Sequence, residues 1–292
     1  MTNLRQSKTK LPMQDLLAVD RRSINRHGGP KPTAVMKLKS EYIAKPWGRT
    51  QLPPEFPPPR EARIGEIWFG SDPGLPLLAK YLFTSEKLSV QVHPNDKQAK
   101  ARGLPRGKAE CWYVVGAGPD ATIGLGLRHS LNREELRGAA LDGTIMDAID
   151  WRPVRAGDFL YVPPGTIHAI GEGISLLEIQ QNSNVTYRLY DYGRPRELHL
   201  DDGVAISTLE PYPEELFRHV GDDEQIILVD GPKFTLVQAA ADQLRDRTRW
   251  VLPLEGSARS SGDVASPGEC LLLNPGDSLE ADNARLLIAA AY

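Results

Sequence analysis

Cysteine is scarce in this chain: Cys111 and Cys270 are the only two among 292 residues. Two thiols so far apart build no disulfide framework, and a reducing cytoplasm is the expected setting. Long apolar runs are missing too. No stretch approaches the ~20 apolar residues of a membrane span, and the first residues carry no apolar secretory segment. Basic excess is missing as well. Lys and Arg number 35 against 38 Asp and Glu, a net charge of -3, so nucleic acid is excluded as an expected partner. There is no Gly-rich phosphate loop, which removes a nucleotidyltransferase. Histidine is sparse: six in all, and none after His219.

Proline and glycine, by contrast, are plentiful at 24 and 26 residues. They punctuate short apolar runs at Ile64–Phe69, Leu77–Phe83, 88–92, 112–115, 159–162, 174–179 and 185–190. Short strands with frequent turn signals imply a mainly β fold built as sandwich or barrel. Residues 132–149 form the clearest helical stretch, with Leu136, Ala139, Ala140 and Ile145 roughly on one face. Asp142-Gly143 breaks it into two short helices. The Pro-rich run 51–60 (QLPPEFPPPR) reads as a loop. Residues 1–35 are polar and rather basic, an extension with one short helix around Leu16.

The segment 157–168 (GDFLYVPPGTIH) has the spacing of a strand, a tight turn and a second strand, with His168 aimed back from the turn. It has an echo 111 residues later in 268–279 (GECLLLNPGDSL). Gly157 maps to Gly268 and Gly165 to Gly276, while His168 maps to Leu279. The turn glycines persist, as a repeated unit requires, but the histidine does not. The expectation is therefore two barrels, one of them without a His-based metal: 36–210 the metal-binding domain with the helical insertion, and 211–292 a packing domain reached through residues 211–232.

Alternate residues of a strand share a face, so Ser89, Gln91 and His93 point one way and Val90 and Val92 the other. His93, Glu110 and His168 brought together make a catalytic-type metal site, two imidazoles and one carboxylate with a position left open. Gln91 is a less usual ligand that the geometry permits. Two histidines and a carboxylate suit non-haem iron as well as zinc. For His27, His129, His199 and His219 the plain reading is a surface or hydrogen-bonded residue.

The spacing of 157–168 resembles the second cupin motif, with Glu172 where that motif usually has Asn. Together with 88–96 (LSVQVHPND), 108–113 (KAECWY), 163–168 (PPGTIH) and 180–192 (QQNSNVTYRLYDY), it resembles type I mannose-6-phosphate isomerases of the short bacterial form. The likeness runs from about Ile43 to Leu200, and Ala109 stands where the family usually has Pro. The resemblance implies two cupin-type jelly-roll barrels and an aldose–ketose isomerase acting on a sugar phosphate through a cis-enediol. It implies one zinc per chain, held by Gln91, His93, Glu110 and His168. Arg188 would be the catalytic arginine and Lys108 a second catalytic residue. Lys80 and Ser89 match positions at the phosphate end of the substrate.

Arginine is a permanent cation, suited to holding an enediolate or a phosphate and a poor base. The C1/C2 base stays open among Lys108, a zinc-bound water and an unidentified carboxylate. Arg188 and Lys108 could equally be surface charges. Glu178 and Asp191 are candidates for orienting partners or for no role. The competing functions are another metal cupin enzyme, such as an Fe(II) oxygenase or a sugar epimerase, and a non-catalytic sugar-binding protein. A soluble monomer or homodimer is expected.

Overall fold

The computed structural model describes residues 35–57 and 62–292. The expected N-terminal extension, Val35 apart, lies outside the described residues, as do the helix around Leu16 and part of the Pro-rich loop.

The fold is mainly β, in three sheets. A central seven-stranded sheet contains Ser40–Arg49, Ile64–Phe69, Leu77–Phe83, Glu110–Ala117, Asp158–Val162, Ile174–Gln181 and Phe217–His219. An outer five-stranded sheet contains Val90–Val92, Thr122–Leu127, Ile149–Pro153, His168–Ile170 and Tyr187–Tyr190. The C-terminal seven-stranded sheet is built on two twelve-residue strands, Arg249–Ser260 and Glu280–Ala291.

Period-two alternation explains the layering. In Glu110–Ala117, Trp112 and Val114 join a core with Leu125, Leu160 and Ile170, between central and outer sheets. The intervening Cys111 and Tyr113 join Phe234, Trp250 and Leu287 of the C-terminal sheet. The central sheet is thus covered on both faces, and Ile174–Gln181 at its middle is buried throughout. The reverse face of the outer sheet (Val90, Val92, Ala169) is covered by Leu136, Ala140 and Ile145 of the helical insertion. That insertion is two helices, Arg133–Asp142 and Ile145–Ala148, separated at Gly143 with φ 88°.

The expected barrels are not closed. Among the described residues, Tyr187–Tyr190 and Ile149–Pro153 are the edges of the outer sheet, and Ser40–Arg49 and Phe217–His219 those of the central one. Two open sheets facing each other bury the same apolar sides that a closed barrel would, without a continuous ladder. The repeat is realised in the backbone: Gly157, Gly165, Gly268 and Gly276 all take positive φ, between 87° and 93°. Pairing runs across the sequence limits drawn at 36–210 and 211–292. Met36–Lys37 pairs with Leu271–Leu272, and Phe217–His219 pairs with Asp158–Leu160. Among the described residues no helix is long and apolar enough to cross a membrane.

Candidate metal centre

Strand register assembles the site. Gln91 stands opposite His168 on one side and opposite Arg188 on the other, so three strands of the outer sheet place Arg188, Gln91 and His168 in one row. The central sheet faces that row with Glu110, which stands opposite Gln180, and with Lys80 opposite Glu178.

His93, Glu110 and His168 are buried, and their donor atoms lie within 4.8 Å of one another. Glu110 Oε2 is 3.6 Å from His93 Nε2, and Oε1 is 3.4 Å from His168 Nε2. Both imidazoles are oriented from behind. His93 Nδ1 lies 2.9 Å from Val185 O and His168 Nδ1 lies 2.9 Å from Thr166 O. A carbonyl only accepts, so each Nδ1 carries the proton and each Nε2 presents a lone pair to the centre. This is the arrangement by which outer partners fix metal-binding imidazoles. Gln91 Nε2 donates to His168 Nε2 at 3.2 Å, and Ser89 Oγ donates to Gln91 Oε1 at 3.4 Å.

Electrostatics agree. Burial, with the Lys108 ammonium beside it, pushes His93 down to about 3, and burial lowers His168 too. Both are therefore neutral. Burial alone would raise Glu110, but the Lys108 ammonium outweighs it and holds the carboxyl well below its usual range. A cation already sits among these donors: Lys108 Nζ donates to His93 Nε2 at 3.1 Å and pairs closely with Glu110 Oε2. Two imidazole lone pairs and one carboxylate, with a positive charge already among them, fit a divalent metal ion, while Gln91 turns its amide nitrogen to His168 and its oxygen to Ser89.

The donors open onto a cavity of about 450 Å³. Lys80, Ser89, Gln91, Lys108, Glu110 and Arg188 all line it, so six of the eight residues singled out from sequence meet at one surface, with His93 and His168 behind it. Arg188 is half-buried and lines the cavity. Its Nη1 donates to Glu197 O at 3.4 Å, and its backbone N–H donates to His199 Nδ1 at 3.3 Å. His129 is exposed, and His219 pairs with Asp158 at 2.9 Å. His199 also lines the cavity. Asp191 is buried and holds Arg196 through two bonds of 2.5 and 2.6 Å.

Sequence reasoning missed Glu66 and Lys45 and left Glu178 open between an orienting partner and no role. The three complete a chain of alternating charges across the wall of the cavity. Lys45 lies 3.3 Å from Glu66, Glu66 3.8 Å from Lys80, and Lys80 3.3 Å from Glu178; Glu178 lies 3.3 Å from Lys108. Burial and the neighbouring Glu110 raise Glu178 to about 7. The available signal was a charged residue inside each apolar strand, since such groups are almost never buried unless paired.

Fold and donor set together define a mainly β protein with a two-histidine, one-carboxylate centre at the bottom of a polar cavity. No family model matches the chain. Among solved structures, the mannose 6-phosphate isomerase from Bacillus subtilis superposes with a TM-score of 0.71 at 24% identity, covering 88% of this chain and 99% of that one. A zinc-bound mannose 6-phosphate isomerase superposes with a TM-score of 0.66 at 16% identity, covering 89% and 100%. This is the fold of those enzymes. Among curated proteins, mannose-6-phosphate isomerase ManA of Bacillus subtilis is 42% identical over 178 residues, 56% of this chain and 55% of that protein. The mannose-6-phosphate isomerase of Streptococcus mutans is 40% identical over 169 residues, 55% and 53%. The chain spans about half the length of the curated relatives it matches. The motif resemblance to mannose-6-phosphate isomerases is borne out by these relatives.

Proposed function

We propose that the chain is a zinc-dependent aldose–ketose isomerase that interconverts mannose 6-phosphate and fructose 6-phosphate. The observation that carries this reading is the convergence of Gln91, His93, Glu110 and His168 with Lys80, Lys108, Glu178 and Arg188 on one cavity. The names of the curated relatives and the zinc in the solved neighbour support it.

Gln91, His93, Glu110 and His168 would hold one zinc per chain. When bound, zinc would act as a Lewis acid toward substrate oxygen. The protein's own groups do the rest. Lys80 and Ser89 would hold the phosphate end, and Arg188, with no carboxylate partner among its described bonds, would stabilise the enediolate. The cavity wall carries Lys45, Lys80, Lys108, Arg188 and Arg196 against Glu66, Glu110 and Glu178, and Asp191 neutralises Arg196. The remaining cationic excess, to which a metal adds, suits a dianionic sugar phosphate.

Proton transfer between C2 and C1 needs a group that gains and loses a proton near neutrality. Glu178, raised to about 7 and flanked by Lys80 and Lys108, has that property. It is the carboxylate that the sequence left unidentified, and Lys108 is the ammonium through which its proton would be shared. The C-terminal sheet, which lacks histidine, would support this centre without binding metal. The buried thiols of Cys111 and Cys270 fit a cytoplasmic setting, and the enzyme would act as a monomer or homodimer.

The test is turnover of mannose 6-phosphate deuterated at C2. Fructose 6-phosphate should form, with deuterium divided between C1 and solvent water, as a proton carried by a protein group requires. Absence of ketose product from the zinc-loaded protein would remove the reading.

A further inference from the structure

The residues of the metal centre come largely from two sequence blocks, 91–93 and 108–110, and one carboxylate ties those blocks together. Asp96 opens the helix Asp96–Ala101, three residues after His93. Its Oδ1 accepts from the backbone N–H of Gly107 at 2.8 Å and from Gln181 Nε2 at 3.0 Å. Gln181 in turn grips Ala109, the residue between Lys108 and Glu110. Its Oε1 accepts the Ala109 N–H at 3.0 Å, and its own backbone N–H donates to Ala109 O at 2.9 Å. The Lys108 N–H donates to Pro94 O at 3.0 Å. Gly107 lies so tightly against the first block that a Cβ there would stand 2.5 Å from Pro94 O and from the Asn95 carbonyl carbon. These ties set where Glu110 stands relative to His93.

The far side of Asp96 is held from another layer. Its Oδ2 accepts from Lys233 Nζ at 2.6 Å. Lys233 sits in the turn between Ile226–Asp230 and Phe234–Ala239, in the sheet that carries no histidine. Burial alone would raise Asp96. The Lys233 ammonium, the Gly107 N–H and the Gln181 amide outweigh it and bring the carboxyl to about 2. Bonds from a permanently ionised carboxylate are shorter and stronger than neutral ones.

We propose that Asp96 and Lys233 are positioning residues for the metal centre, through which the C-terminal sheet sets the affinity of the centre for its metal. The proposal rests on the zinc reading above. Metal binding tolerates errors of only about 0.2 Å in ligand distances. A clamp that fixes Gly107 and Ala109 therefore fixes whether Glu110 and His93 can share one ion. Neither Asp96 nor Lys233 touches the substrate cavity. They act through the backbone of the second block.

The test is the zinc dissociation constant of the full chain, read by competition with a chromophoric chelator. Asp96→Ala should weaken zinc about tenfold, the lower end of what removal of an outer-shell partner costs. Lys233→Met should weaken it about threefold, within the range of a single partly exposed ion pair, and Lys233→Arg should keep the original value. Because Lys233 acts only through Asp96, the double variant should bind zinc as Asp96→Ala does alone. If Asp96→Ala fails to fold, Asp96→Asn takes its place and should also bind more weakly than the parent. The metal-free Lys233→Met protein should melt within about 3 °C of the parent. A merely structural ion pair would do the reverse, moving the melting temperature and leaving the zinc constant alone. Parent-like zinc constants in both single variants, or additive losses in the double, would overturn the proposal. A parent protein that binds no zinc would overturn the zinc reading and the proposal together.

Discussion

Lys108 Nζ donates to His93 Nε2 at 3.1 Å and pairs with Glu110, so its ammonium lies among the donors that a metal ion would use. It also lies 3.3 Å from Glu178 Oε1 on the wall of the cavity. A dication and an ammonium repel at such range. With a metal bound, Glu178 would be the acidic partner left to Lys108.

Lys108→Ala should therefore retain full zinc occupancy and lose about 10²-fold or more in kcat, the scale of removing a proton-transfer group. Zinc content and steady-state kinetics on the same preparation check this. Unchanged turnover with full zinc would take Lys108 out of the chemistry.

Arg188 is expected to act on charge that develops in the reaction and not on the metal. Its guanidinium lines the cavity and makes one described side-chain bond, to Glu197 O at 3.4 Å. Arg188→Ala should lower kcat/KM by about 10²-fold and leave the zinc dissociation constant unchanged. Arg188→Lys keeps a charge without the planar fork and should fall between the two. A loss of zinc in Arg188→Ala, or kinetics equal to the parent, would contradict this assignment.

Glu66 supplies a pH test of the charge chain. Burial opposes its ionisation, but Lys80, Lys45 and the Trp68 indole, which donates at 2.8 Å, outweigh burial and lower its pKa from 4.5. The unfolded chain then binds more protons than the folded one around and below pH 4.5, so stability rises with pH there. The contribution is complete above the ordinary value of 4.5 and is lost as pH falls through and below it. Glu66→Gln should cost about 2 kcal/mol at pH 7, and the gap should shrink as pH falls below 4.5. Urea unfolding of both proteins at pH 7, 5 and 4 measures it. A gap that does not change with pH would show that the ion pairs contribute nothing.

Much of this was legible in the chain because the signals are local. Short apolar runs bounded by turn signals at Ile64–Phe69 and Leu77–Phe83 mark strands whose limits match the structure. The Gly157 to His168 spacing locates a turn whose glycines take positive φ. Glu110 and His168 could be chosen by type and position within apolar strands. What could not be read was register between strands distant in sequence. Nothing local says that Glu178 lies opposite Lys80, or that Arg188, Gln91 and His168 fall in one row. For the same reason Glu66 went unnoticed, although a lone glutamate in IGEIWF is unusual. Open sheets in place of closed barrels also escaped the sequence, because both arrangements bury the same alternate residues. The Lys233–Asp96 link joins residues 137 positions apart, beyond any local pattern.

The central claim is a metal-dependent isomerisation at the His93–Glu110–His168 centre. The most direct measurement is conversion of mannose 6-phosphate to fructose 6-phosphate by the purified chain, before chelation, after it, and after zinc is restored. The account predicts turnover that disappears with the chelator and returns with about one equivalent of zinc, in the parent and not in His168→Ala. Turnover indifferent to chelation, or none with zinc bound, would contradict it.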